Sequence, residues 1–353
     1  MKIGIGLDPT LGLSFDEQKM LSQRAVHLGY SSIWTPEGRG QDSFQICALR
    51  WAASCAIKPE GITTGIAVSP VMYRTPIAFA MSAGTLSKIT NDKFILGIGS
   101  GNAHFKKERH SLGMPDFSTL SIMRDYIRST QALLQGELVN YEGPVVKLRG
   151  IKLDIKPPPK TPIYLGALGP EMLRLAGELA DGAILNWCTP EQITWSKNCI
   201  AEGSKRIDRT ADSIQVAQYI RICVDDDIDA ARQALALAVL GYALGPRSSS
   251  GRKRKLGYRA HFERMGFKDV LEELDQMRIR GATREEMADK LPGNLLRKVG
   301  YYGPQKGASK AFNKLAEGLD LAIVRVVATT QSNVNSVEAT MEACAPSLLK
   351  ATT

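Results

Sequence analysis

The sequence predicts an α/β fold, a (β/α)8 TIM barrel with insertions, and three observations lead there. Short apolar runs start at Ile3, Ile33, Ile62 and Phe94, spaced 30, 29 and 32 residues apart, the length of a strand, a crossover helix and two loops. The runs are near-continuously apolar instead of alternating, as parallel strands covered by helices require. Their count reaches eight along the chain, which favours a closed barrel over an open sheet.

Taken in order, the strand candidates are IGIGL from Ile3, IWT from Ile33, ITTGIAV from Ile62 and FILGI from Phe94, then IYLG from Ile163, AILNW from Ala183, IQVAQYIRICV from Ile214 and LAIVRVVA from Leu321. The helices between them have readable ends. Ser14 and Glu17 form a capping box, Leu21, Ala25 and Leu28 follow at helical spacing, and Gly29 supplies the stop. Thr75-Pro76 and Gly169-Pro170 each place proline at a first helical position. Two segments break the rhythm. LVNYEGPVVKLRGIKLDIKPPP, near 138–159, reads as a small strand-rich insertion, and 225–320 reads as mainly helical and basic. No stretch of linker composition divides the chain, so residues 1–353 are expected to form a single domain with insertions.

Composition narrows the function. With 353 residues, 44% of them apolar, the chain can bury a sizeable core. No run of 18 apolar residues is present, and MKIGIGLDPT lacks a signal-peptide pattern. A cytoplasmic protein with no membrane partner is therefore expected. The six cysteines form no CxxC pair and no His/Cys cluster, so no metal site is expected. The net charge of +9 suits anionic partners, but no nucleic-acid-binding signature accompanies it, and a nucleic-acid partner is not expected. Part of the excess is local: RSSSGRKRKLGYR, 247–259, carries six basic residues and no acidic one. A solvated loop and a contact for an anionic ligand both fit that stretch.

In a barrel of this kind the chemistry sits just past the C-terminal ends of the strands. The residues placed there are Asp8 to Thr10, Thr35 to Gly38, Ala67 to Tyr73, Gly99 to His104, Gly166 to Gly169, Asn186 to Thr189, Val224 to Asp226 and Ala328 to Gln331. In GIGSGNAH, the glycines let backbone approach a ligand closely, and Asn102 and His104 can each donate a hydrogen bond. A plain tight turn explains the same residues. Gly166-Ala167-Leu168-Gly169 leads into a helix whose unpaired N–H groups suit a phosphate, and again an ordinary βα turn fits on spacing alone.

Five pieces in this order, LGYSSIWTPE, TTGIAVSPVMYRTPIAFAMSAGTLSKIT, FILGIGSGNA, PIYLGALGPEMLRLAGELADGAILN and GLDLAIVRVV, resemble the luciferase-like superfamily of flavin- and deazaflavin-dependent oxidoreductases. Within it, the similarity points to the coenzyme F420-dependent branch with its methylenetetrahydromethanopterin reductases. The resemblance implies a barrel of the bacterial luciferase type, a homodimer, and a cofactor ring lying in the barrel mouth against a bulge at Ala67 and Val68, often with a non-proline cis peptide. It implies that Gly99, Ser100, Gly101 and Asn102 lie along the ring and that Gly166, Ala167, Leu168 and Gly169 hold a phosphate. The implied activity is hydride transfer between coenzyme F420 and a small organic substrate, with Arg252 to Lys255 meeting the anionic tail of the cofactor. FMN-dependent monooxygenation on the same fold is the alternative, and a non-catalytic flavin-binding protein a further one.

The sequence also departs from that branch. Many F420-dependent relatives have an Asp-His pair after the second strand, where Glu37-Gly38 stands here. Glu37 keeps a carboxylate there, and with His104 it is the candidate for moving a proton; capping or hydrogen-bonding roles suit both as well. Tyr73 and Trp187 are candidates to wall the substrate pocket alongside Met72, and packing at the rim is the competing role.

Overall fold

The computed structural model describes residues 1–101, 106–113, 116–156, 158–245 and 257–346. Twelve strands are found among them: β1 (Lys2–Gly6), β2 (Ser32–Thr35), β3 (Thr63–Ile66), β4 (Ser69–Pro70), β5 (Phe94–Gly99), β6 (Val139–Glu142), β7 (Lys147–Ile151), β8 (Ile163–Gly166), β9 (Gly182–Asn186), β10 (Gln215–Val224), β11 (Gly300–Gly303) and β12 (Leu321–Val326). Strands β12, β1, β2, β3, β5, β8 and β9 pair in parallel, and β10 closes the ring by pairing with both β9 and β12. This is the eight-stranded barrel that the spacing predicts.

The helix ends follow their caps. Ser14 and Glu17 make both bonds of the capping box ahead of the helix Phe15–His27. Thr75 and Gly169 are the N-caps of helices that begin at Pro76 and Pro170. Where the rhythm breaks, β6 and β7 form an antiparallel hairpin, and the helices Ile228–Ala243, Gly257–Phe262, Lys268–Ile279, Arg284–Asp289 and Gly293–Val299 pack as a second core over the β9–β10 side. Two strands escape the sequence pattern. β11, sequence GYYG, pairs with the upper end of β10, and β4 is a two-residue pairing with the end of β5. Both are too short, and too poor in aliphatic residues, to give a periodic signal.

Glycines inside the barrel make room for two aromatic rings. A Cβ on Gly65 would stand 2.4 Å from the Trp34 indole, and one on Gly6 would stand 2.6 Å from the Tyr219 ring. With Tyr164, Ile184, Ala217, Leu321 and Ile323, these rings fill the interior, so the barrel is plugged below and the open chemistry lies at its upper mouth.

Candidate active site

Three of the strand-end segments named from the sequence meet on one side of the mouth. The peptide between Ala67 and Val68 is cis, and Val68 lies against both glycine-rich turns. A Cβ on Gly99 would stand 2.5 Å from Val68 Cγ2, and one on Gly166 would stand 3.2 Å from Val68 Cγ1. Gly101, with φ of 54°, comes close to Pro70 and Met72, so the turn after β5 rests on the segment after β3. Ser100 and Tyr73 lie at the half-buried rim. Asn102 and His104 lie outside the described residues.

Glu37 braces this corner. Its amide donates to Val68 O at 3.3 Å, while its carboxylate accepts from Arg74 Nη1 at 2.5 Å and Nη2 at 2.7 Å, from the Ser43 amide at 3.3 Å and from the Ser69 hydroxyl. Arg74 extends the clamp to Asp42, the cap of the helix Ser43–Cys55. A bidentate guanidinium on a buried carboxylate fixes both groups in place.

The turn after β8 divides its duties. Ala167 is buried and donates its N–H to Ile184 O at 3.1 Å, extending the strand ladder. Leu168 O accepts from Arg264 Nη2 at 3.0 Å. Gly169 has φ of −90° and faces space in which a Cβ would meet nothing within 4 Å, so neither backbone conformation nor packing demands a glycine there. No side chain caps the helix that follows. Arg264 also borders a groove of 980 Å³ lined by Trp195, Arg297, Lys298, Tyr301 and Lys314.

The opposite side of the mouth carries charge that the sequence reading did not single out. Arg325 of β12 is ion-paired with Asp8, just past β1, and donates to the Tyr242 hydroxyl at 3.3 Å. Arg221 of β10, 1% exposed, donates to Asn186 and lies 3.9 Å over the Trp187 ring. Asn186 in turn donates to the Tyr258 hydroxyl at 2.7 Å. Burial outweighs all else at Arg221 and pulls its pKa down to about 9, with Arg325 adding repulsion. Burial alone would raise the pKa of Tyr242, yet Arg325 and Arg221 outweigh it and the value is lowered. Trp187 is completely buried, with φ of 59°, a conformation that a bulky residue adopts only when its surroundings hold it. Its carbonyl lies 3.1 Å from Nε2 of the buried His261, whose pKa burial and Arg264 push down to about 4.

A signal for the two arginines was present in the sequence. IQVAQYIRICV and LAIVRVVA each hold one cation in an otherwise apolar strand, and a buried strand tolerates a charge only where something faces it. Tyr242 and Tyr258 come from the helical insertion, whose placement the strand pattern does not give.

The model of the luciferase-like monooxygenase family matches residues 2–320 of the chain. The chain belongs to this family. A 5,10-methylenetetrahydromethanopterin reductase from Archaeoglobus fulgidus is 30% identical over 240 residues, covering 68% of this chain and 69% of that relative. The coenzyme F420-dependent tetrahydromethanopterin reductase of Methanopyrus kandleri superposes with a TM-score of 0.76 at 21% identity, covering 98% of this chain and 97% of that one. A monooxygenase from Streptomyces bottropensis shares the fold with a TM-score of 0.69 at 15% identity, both chains being covered in full. The same barrel fold thus carries an F420-dependent reductase and a monooxygenase, and the fold alone does not decide the chemistry.

Proposed function

We propose that this luciferase-like protein is a coenzyme F420-dependent oxidoreductase that transfers a hydride between the deazaflavin and a small organic substrate. The observation that carries the reading is the Val68 corner, where Gly99 and Gly166 keep the turns flanking it free of side chains. A planar ring fits against such a surface, and the similarity to a methylenetetrahydromethanopterin reductase supports F420 as its owner. When bound, F420 supplies a two-electron hydride carrier.

The residues of the chain supply position. Glu37, Arg74 and Ser69 hold the Val68 corner, so Glu37 acts as a positioning group; its carboxylate oxygens are committed to Arg74, Ser69 and the Ser43 amide. Gly169 and the uncapped start of the helix Pro170–Leu179 leave room and N–H groups for a phosphate. Arg264, Arg297, Lys298 and Lys314 in the neighbouring groove offer a path for an anionic tail. The insertion residues Arg252 to Lys255, to which the sequence reading gave that task, lie outside the described residues.

Titrating the purified protein with F420 and with FMN, each followed by its own fluorescence, tests the assignment. F420 should bind at least tenfold more tightly. Tighter FMN binding together with oxygen-dependent turnover would favour the monooxygenase reading, which the fold shared with the Streptomyces bottropensis enzyme keeps in view.

A further inference from the structure

The charged side of the mouth holds more positive charge than its own residues balance. Among the described residues, Asp8 is the carboxylate in contact with either guanidinium, and it pairs with Arg325. Arg221 is left with a neutral partner, Asn186, with the carbonyl of Tyr219 at 3.4 Å, and with an Nη2 that is buried and has no hydrogen-bond partner. A buried guanidinium in that state is costly until an anion reaches it. Trp187 offsets part of the cost through its ring face.

The hydroxyls nearby are oriented for the same task. The Tyr242 oxygen accepts a hydrogen bond from Arg325, and the Tyr258 oxygen accepts one from Asn186. Each phenol therefore keeps its own O–H to donate. The two rings pack edge to face with centroids 4.6 Å apart, so the Tyr258 ring supports that of Tyr242. Tyr242, with Thr10, Trp187, Arg221, Arg325 and Thr329, borders a cavity of 280 Å³, a volume suited to a small organic molecule.

We propose that this side of the mouth is the substrate subsite and that it takes a carboxylate, bound by Arg221 with Tyr242 as a further donor, while Tyr258 holds Asn186 and the Tyr242 ring in place. The inference rests on the reading that a cofactor ring occupies the glycine side, because the substrate then lies across the mouth from it. A planar carboxylate matches the guanidinium fork, which a single-point cation would not require.

Calorimetry and thermal unfolding with benzoate as probe and benzamide as its neutral counterpart test the subsite, with and without saturating F420. Benzoate should bind and raise the melting temperature, benzamide should do neither, and F420 should leave the benzoate affinity unchanged within about threefold. Arg221→Met should abolish the benzoate response while still binding F420. Should that variant fail to fold, Tyr242→Phe should lower benzoate affinity about tenfold, the loss of one hydrogen bond to a charged group. Equal responses to benzoate and benzamide would overturn the proposal, as would inorganic phosphate matching benzoate. Competition between benzoate and F420 would assign the charge to the cofactor and overturn it too. A benzoate response in a protein that binds no F420 would instead remove the cofactor reading on which the inference rests.

Discussion

On the β3, β5 and β8 side of the mouth, the upper residues are Ala67, Gly99 and Gly166, and one valine side chain spans the gap; on the β9, β10, β12 and β1 side they are Asn186, Arg221 and Arg325 within the strands and Asp8 just past β1. The first side is shaped by what is missing, since each absent Cβ lets the Val68 side chain seat between the two turns and leaves a smooth corner there. The second is shaped by buried charge held in a network. A ring needs contact area and freedom from side chains, whereas a charged group needs partners whose cost has already been met by folding. The contrast predicts that the two sides fail differently when they are mutated.

The largest effect should come from the charged side. Asp8→Asn removes the carboxylate that faces Arg325 and leaves two buried guanidiniums side by side. Breaking a buried pair from one end costs about 3–5 kcal/mol, so the midpoint of denaturant unfolding should fall accordingly. The pH dependence gives an independent readout. Burial raises the Asp8 pKa, but Arg325 and the Thr10 bonds outweigh it, and the folded value lies below the usual 3.8. The associated stability is fully present above that ordinary value and is lost as pH falls below it toward the folded pKa. Wild type should lose stability in that acid window, and Asp8→Asn should show a flatter acid limb. An unchanged acid limb would mean that the pair contributes nothing.

The glycine side should respond through geometry. Gly97 lies within β5, and a Cβ there would stand 2.0 Å from the backbone oxygen of Ile66. Backbone cannot swing aside as a flexible side chain can, so Gly97→Ala should cost about 3 kcal/mol, at the upper end of the overpacking range. Gly99→Ala meets a valine methyl instead. It should cost less stability and act more on cofactor affinity. Equal destabilisation by the two would show that β5 shifts as a unit and that the Val68 contact is not special.

The two sides also differ in how far the sequence disclosed them. Glycines at strand ends stand out in a line of residues, because FILGIGSG and IYLGALG interrupt apolar runs with residues of distinct backbone chemistry. The barrel, its eight strands and its capped helices were legible for a similar reason: each rests on local spacing. Arg221 and Arg325 were visible as anomalies, but which groups they face depends on the closure of β10 between β9 and β12. Tyr242 and Tyr258 reach the mouth from helices that pack over it, and no local pattern in the insertion announces that contact. The partners of Glu37 were hidden for the same cause, since Arg74 lies 37 positions away and meets it through the fold.

A smaller effect separates phosphate capture from folding. Gly169 has an unstrained φ of −90° and open space around it, so Gly169→Glu should fold with the stability of wild type. The added carboxylate would still stand at the start of the helix Pro170–Leu179, where a phosphate is proposed to bind. F420 affinity should fall about tenfold, equivalent to about 1.4 kcal/mol, and full affinity in the folded variant would remove the phosphate from this turn.

The smallest effect concerns the groove beside that turn, and it extends the comparison to charge that is exposed. Arg297 and Lys298 are exposed, unlike Arg221, and exposed ion pairs contribute about 0.2–1 kcal/mol each. Replacing both by Ser should therefore weaken F420 binding only a few-fold at low salt. Screening acts on such contacts within a Debye length of about 3 Å at 1 M ionic strength, so the difference from wild type should disappear there. A deazaflavin lacking the anionic tail should bind both proteins equally at every salt concentration. If the tailless ligand loses as much affinity as F420, the groove acts on the ring or phosphate instead, and its cations belong with the mouth rather than with a separate path for the tail.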